Sequence, residues 1–483
     1  MSENAEVQQP ESGGSRSAVL LLLSVAAMLL LVTIVSDQIP APGTYSRQLL
    51  LFGGRSDAVG WGAGGELARL QPDRGVFSFL FETIESSLNL TLAVGIALGM
   101  ATVGSVLMAH AMIARVARLP ASALFGAAVF ALLLYSAPLR AGTVASGFFV
   151  PIVMLSVAAR SPCLGALSAA FWVVWMGDFL APVVVTTACA LIERRQSLLA
   201  RFAPMCAAIV CVALFPSLRF QLRGSLSAVL ASGPNSLALE LLGWSAPDLH
   251  QHMLAPLAIV GFFLIRARSQ RPLSNADNYA LVASGCYLLG AIMLPFFAAG
   301  MALAYAVEAN SWEERGGRRL SSLWQGSVFA ICSSLTVLFA VQIGHGNAPK
   351  KERDIIIQLR PPLGKLQQRG PLFSDVRFGA ALLTAGISPF VDARVAPYAF
   401  PSPKSVTGSP FSDYEELIKL RPRWAEVLSR YDFQLALLPR ESSLAGVLQA
   451  RFGWKEVAVS EQWWEQERGM RKPRHLALLV TPD

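Results

Sequence analysis

Between residues 19 and 343 the chain is a succession of apolar runs, and most of them end at clusters of arginine. This alternation limits the fold more than any motif does. In lipid only helices and closed barrels satisfy their own backbone, and apolar runs approaching roughly 20 residues read as helices. The clusters are Arg115 and Arg118; Arg160; Arg194, Arg195 and Arg201; Arg266, Arg268 and Arg271; and Arg315, Arg318 and Arg319. If all of them face the cytoplasm, as the positive-inside rule asks, the chain between any two crosses an even number of times.

The apolar stretches fall at about 89–113, 121–137, 144–159, 163–177, 179–192, 202–216, 253–266, 279–294, 296–308 and 324–343. Val19 to Val35 adds a first span that lacks a small-residue cleavage site after it and is read as retained. About eleven crossings result, an odd number that puts the termini on opposite sides. Residues 163–192 and 279–308 are each long for one span and short for two, with Asp178 and Pro295 near their midpoints. Each is expected to form a short hairpin with its tip toward the exterior.

Composition agrees with this class. Hydrophobic residues make up 53% of the chain and charged residues 15%, with a mean hydropathy of +0.48. The net charge of +8 sits largely in the clusters at the ends of apolar runs, so topology explains it and nucleic acid is not an expected partner. The six cysteines lie in or beside apolar segments without metal-ligand spacing, which argues against a zinc site or disulfide framework. No phosphate-binding glycine loop ending in Gly-Lys occurs, so ATP-driven transport has no support.

The expected organisation is a disordered cytoplasmic N-terminus over 1–18 and a transmembrane domain over 19–343, with long exterior loops at 37–88 and 217–252. The composition then shifts at Gly344 to Lys351, and 344–483 is read as a small exterior, periplasmic α/β domain. Its expected strands are Asp354 to Leu359, Leu372 to Ser374, Pro389 to Val391, Phe433 to Leu438, Glu456 to Val459 and Leu476 to Val480. Its expected helices are Val376 to Ala385, Asp413 to Leu420 with Ser412 at its start, Arg423 to Tyr431 and Ser442 to Arg451.

One ordered series in this tail carries a resemblance. It runs Leu372-Phe373-Ser374-Asp375, Gly379, Pro389-Phe390-Val391-Asp392-Ala393-Arg394, Asp413-Tyr414, Trp424 with Leu428 and Tyr431, Leu438-Pro439 and Gly453-Trp454. The series resembles bacterial polytopic proteins similar to glycosyltransferase family 39 and the GT-C group, which have a multi-span bundle and an exterior C-terminal domain. Asp57, with Gly60-Trp61 and Gly65-Glu66 after it, resembles the first exterior loop of that group, in which a carboxylate is essential. Gly62 stands where relatives carry a histidine.

The resemblance implies a bundle of GT-C type in the inner membrane, with a lipid bilayer around it and a polyprenyl-linked sugar as donor. Sugar transfer from a lipid phosphate needs a carboxylate to take the acceptor proton and cations to hold the departing phosphate. Asp57 and, second, Asp37 are the candidate bases; Arg47, Arg55, Arg219 and Arg223 are candidate phosphate ligands or, as plainly, interfacial anchors. Trp61, Asp178, Asp375, Asp392 and Arg394 are candidates for substrate contact or structural pairing, with an internal Asp to Arg salt bridge the simpler reading in the tail. The alternative to a glycosyltransferase is a catalytically inactive scaffold or assembly factor of the cell envelope, bound to an envelope protein or glycan. A transporter is a third and poorer reading, since no inverted repeat is evident. The sequence leaves the cofactor open, with no metal motif evident.

Overall fold

The computed structural model describes residues 104–135, 141–176, 180–194, 196–215, 254–269, 271–316, 370–384, 386–392, 395, 398–460, 463–467 and 470–482, with isolated positions between 218 and 247 and between 356 and 366. The first part is a bundle of apolar helices. They are α1 (Gly104–Ala114), α2 (Pro120–Tyr135), α3 (Ala141–Ala158), α4 (Pro162–Met176), α5 (Leu180–Ile192), α6 (Leu198–Leu214), α7 (Leu254–Arg268), α8 (Asn275–Leu289) and α9 (Leu294–Gly316).

Alanines bring the helices of this bundle together beside large buried side chains such as Phe130, Trp172, Phe296 and Phe297, and further large apolar side chains cover its outside. Ala127, Ala128, Ala299, Ala302 and Ala306 are fully or almost fully buried, whereas Leu167, Phe171, Leu199, Leu257 and Leu264 are exposed. Close approach at small residues together with an apolar outer face suits helices that pack against one another in lipid. At Gly126 a Cβ would lie 2.7 Å from Ala306 Cβ and 3.0 Å from the Ala302 carbonyl oxygen. Only a glycine lets α2 and α9 come so near.

Polar contacts fix which helix ends lie together. The Leu119 amide donates to Asn310 Oδ1 at 3.0 Å and Ser122 Oγ to Glu313 at 2.7 Å, joining the start of α2 to the end of α9. Arg160 Nε donates to Gln196 at 2.7 Å, and Arg201 Nε to the Ala190 carbonyl at 2.7 Å. Asn275 donates to Glu193 at 2.9 Å, so the starts of α6 and α8 meet the end of α5. At the other end Ser105 and Tyr135 share a 2.7 Å hydrogen bond between the start of α1 and the end of α2. The described members of every arginine cluster therefore gather at one end of the bundle.

The 163–192 stretch is two helices, α4 and α5, with their outer feet at this basic end. The 279–308 stretch is likewise α8, a 3-10 turn at Ala291–Met293 and α9, which is longer than expected. Both are hairpins. The extended backbone at Gly290, whose amide donates to the carbonyls of Cys286 and Tyr287, closes the second one.

The C-terminal part is a three-layer α/β unit. Its strands β1 (Leu372–Ser374), β2 (Leu435–Pro439), β3 (Lys455–Val459) and β6 (Leu476–Val480) form a sheet in the order β1-β2-β6-β3, parallel between β1 and β2 and antiparallel elsewhere. Its helices are α10 (Gly379–Thr384), α11 (Pro410–Ile418), α12 (Trp424–Tyr431) and α13 (Ser443–Phe452). Side chains alternate along each strand. Phe373, Ala436, Leu438 and Leu479 join a core with Tyr414, Val427 and Leu448 on one face, while Leu372, Leu437 and Leu478 join a core with Phe378 and Leu382 on the other.

Four tail expectations need correction. The stretch 354–359 is not a strand: positions 356, 358 and 359 are helical, and Ile356, Leu359 and Leu363 bury one helical face against the sheet at spacings of three and four. Pro389 to Val391 forms no strand either, because its buried Phe390 and Val391 fill the core from an irregular segment led by a proline without an amide donor. The Val376 helix divides into a 3-10 turn, Val376–Phe378, and α10. The Ser412 start belongs to Ser409, whose side chain accepts from the Ser412 amide ahead of Pro410. A hairpin of β4 (Trp463–Glu467) and β5 (Met470–Arg474) was not expected from the sequence.

Candidate functional site

The described part of the candidate site begins where α6 leaves the bundle, at the end away from the arginine clusters. Positions 218, 219 and 222–224 are helical. Leu218 and Leu222 pack with Val173, Ala208 and Val212 of α4 and α6, while Arg219 and Arg223 are exposed. A spacing of four puts the two guanidinium groups on one helical face, one position on from the anchoring leucines. Leucines hold the segment to the bundle and arginines line its outer edge, an arrangement that can take a lipid-borne phosphate.

The loop from this segment then reaches the α/β unit. Leu237 packs on the unit's core, and its amide donates to Glu415 Oε1 at 2.7 Å. Trp244 returns to pack on the main core of the bundle before α7 begins. The α/β unit and the Arg219/Arg223 pair thus share one end of the molecule.

Of the other candidates, Asp37, Arg47, Arg55, Asp57, Trp61, Asp178 and Arg394 lie outside the described residues. Asp375 and Asp392 are described and both are internally paired. Asp375 caps the 3-10 turn after β1, accepting from the Arg377 amide at 3.0 Å, and forms an ion pair with the Arg377 guanidinium at 2.7 Å. Burial pushes the Asp375 carboxyl up, but the Arg377 charge and hydrogen bonds outweigh burial and hold it below its ordinary value. Asp392 is fully buried and accepts from the Tyr398 hydroxyl at 2.7 Å. The expected Asp to Arg bridge exists, then, but its described arginine is Arg377.

A pH dependence follows from Asp375. A carboxyl held low in the folded state stabilises above its unfolded value, near pH 4, and that contribution disappears as pH falls through the lower folded value. Because Arg377 is about half-exposed, the contribution is about 1 kcal/mol or less. Melting curves between about pH 6 and about pH 3 should drop less for Asp375→Asn than for the wild type. Equal drops would place the acid sensitivity on other groups.

Three buried acids were missed as important groups. Asp413 accepts from the Val406 and Thr407 amides, the Thr407 hydroxyl and the Tyr431 hydroxyl, all within 3.2 Å. Asp277 takes both nitrogens of the Arg271 fork at 2.8 Å, and Glu308 takes Arg271 Nε at 2.6 Å. The Ser274-x-x-Asp277 spacing was a legible helix-start signal, and Glu308 was an ionisable residue closing an apolar run.

The chain has a GT-C-like fold. Among solved structures it is similar to the archaeal oligosaccharyltransferase AglB from Archaeoglobus fulgidus, with a TM-score of 0.51 and 11% identity over 87% of this chain and 69% of that one. It is also similar to the arabinofuranosyltransferase AftD from Mycobacteria, with a TM-score of 0.50 and 11% identity, covering 96% of this chain but 40% of AftD. At this identity the likeness is one of fold. No protein-family model and no curated protein sequence matches the chain.

Proposed function

We propose that this protein is a membrane glycosyltransferase that moves a sugar from a polyprenyl-phosphate donor on the exterior face of the bacterial inner membrane. The observation that carries the reading is the Arg219/Arg223 pair, exposed on a bundle-anchored segment within a GT-C-like fold. The AglB structure is a complex with dolichol-phosphate, a lipid phosphate of the same chemical kind. Positive-inside logic assigns the arginine-cluster end to the cytoplasm, and so the α/β unit, taken as 344–483, to the exterior.

In this reading the phosphate leaves against Arg219 and Arg223, joined by Arg47 and Arg55 of the 37–88 loop. Asp57, or failing it Asp37, takes the acceptor hydroxyl proton as the new glycosidic bond forms. Trp61 and Asp178 are candidate contacts to sugar or acceptor.

The test uses membranes containing the full chain and a labelled polyprenyl-phosphate sugar, following label out of the lipid fraction. The double change of Arg219 and Arg223 to Ala should raise the donor KM by about 10- to 100-fold at unchanged protein level, the loss expected when charge-assisted bonds to a phosphate go. An unchanged KM would return both arginines to the role of interfacial anchors.

A scaffold of the cell envelope is the second reading, favoured by the internal pairing of Asp375 and Asp392 and by Gly62 in place of histidine. Its mark would be a tail deletion that abolishes co-purification of an envelope partner while loop carboxylate changes stay silent.

A further inference from the structure

The chain between α6 and α7 is fastened at three described points: Leu218 and Leu222 on the bundle, Leu237 on the α/β core, and Trp244 on the bundle again. The middle fastening is chemically the most specific. Glu415 is 1% exposed, yet its Oε1 accepts from the Leu237 amide at 2.7 Å and from Lys419 Nζ at 3.0 Å, and its Oε2 lies 3.7 Å from the Arg421 guanidinium. A carboxylate is costly to bury unless it is paired, and here two cations of its own unit offset that cost while one oxygen serves a segment 178 residues away. Its neighbours Tyr414 and Leu417 are buried in the sheet core, so α11 presents the carboxylate from a fixed position.

We propose that Glu415 and Leu237 form a latch through which the α/β unit holds the loop that carries the phosphate-binding arginines, making Glu415 a positioning residue for donor binding. The positioning role rests on the transferase reading; the latch itself does not. With Leu237 released, the loop is held by Leu218 and Leu222 at one end and Trp244 at the other, and the chain between gains conformations. Ordering them again must then be met from donor binding energy, which raises KM and leaves the chemical step alone.

The experiment measures amide exchange at Leu237 and donor kinetics on the full-length protein in detergent. Glu415→Ala should speed Leu237 exchange about 10- to 100-fold, as expected for an amide losing a charged acceptor. Donor KM should rise several-fold with kcat held. Glu415→Gln keeps an acceptor oxygen and should retain most of the protection; Glu426→Gln, on the exposed face of α12, should match the wild type. If β6 amides also lose protection in Glu415→Ala, the unit has unfolded, and Leu237→Ala, which keeps the amide, Glu415 and its two cations but removes the side chain that seats the amide on the core, decides the matter by the same readouts. Wild-type exchange at Leu237 in a folded Glu415→Ala protein would overturn the latch. Faster exchange with an unchanged donor KM would overturn the positioning role, and absence of any transfer by the wild type would sink the transferase reading while the exchange result still judged the latch.

Discussion

Replacing Arg271 by Ala should destabilise the protein by about 3–5 kcal/mol, the loss expected when one partner of a buried charge cluster is removed. The guanidinium forks onto both oxygens of Asp277 at 2.8 Å, reaches Glu308 at 2.6 Å and also donates to Ser274 Oγ at 3.0 Å. Asp277 is fully buried and Glu308 nearly so, and without Arg271 two carboxylates would share low-dielectric space with Arg266 as the nearest described cation, 3.9 Å from Asp277. The loss is also topological, because the triad ties the turn between α7 and α8 to α9. Arg271→Lys should fall between, since an ammonium cannot serve a fork and a third acceptor in one plane. Replacing Arg271, Asp277 and Glu308 together by apolar residues of similar volume should recover most of the loss, because no buried charge is then left alone. Thermal melts in detergent read all three; an Arg271→Ala protein that melts with the wild type would show that water already solvates this end of the bundle.

The bundle was legible because hydrophobic runs and arginine clusters are properties of single segments. Each helix can be read without knowing its neighbours, and the Asp178 and Pro295 interruptions marked both hairpins. What could not be read was how the ends join: Glu308 meets Arg271 across 37 residues and Leu237 meets Glu415 across 178. In the tail, strands with two apolar faces such as Leu435–Pro439 were evident, whereas Ile356, Leu359 and Leu363 fit an amphipathic helix or a short strand until the sheet they cover is known. The β4–β5 hairpin escaped for another reason, being rich in charge and carrying Pro473, which read as loop.

The site was legible to a lesser degree, and the reason is chemical. Arg219 and Arg223 could be paired from their spacing, but whether they were exposed or turned inward depended on Leu218 and Leu222 finding α4 and α6. Asp375 and Asp392 looked like binding groups because they follow strand-like runs. Their partners, Arg377 and the Tyr398 hydroxyl, make them supports for the unit's loops, and the neighbouring Tyr414, whose phenol burial and the Asp375 charge push up, stays neutral and accepts the Val376 amide. An acid that already has its partners is a poor binder of substrate.

In the proposed transferase reading the chemistry falls to the 37–88 loop, and there Asp57→Ala should lower kcat for transfer by about 10²- to 10⁴-fold, the usual worth of a positioned general base. Donor KM should move little, because phosphate binding is assigned to arginines and the carboxylate acts on the acceptor proton only as the bond forms. Gly62 sharpens the expectation: with no imidazole at that position to share the proton, the loss on removing the carboxylate falls on the one group. Asp37→Ala is the matched comparison. If Asp37 is merely the polar end of the first span, its replacement should leave kcat within a few-fold of wild type, and a larger loss than for Asp57 would exchange their roles. Silence at both positions, with normal protein in the membrane and the arginine changes also silent, would remove the enzyme reading and leave the scaffold, in which this loop is a surface and not a reacting centre.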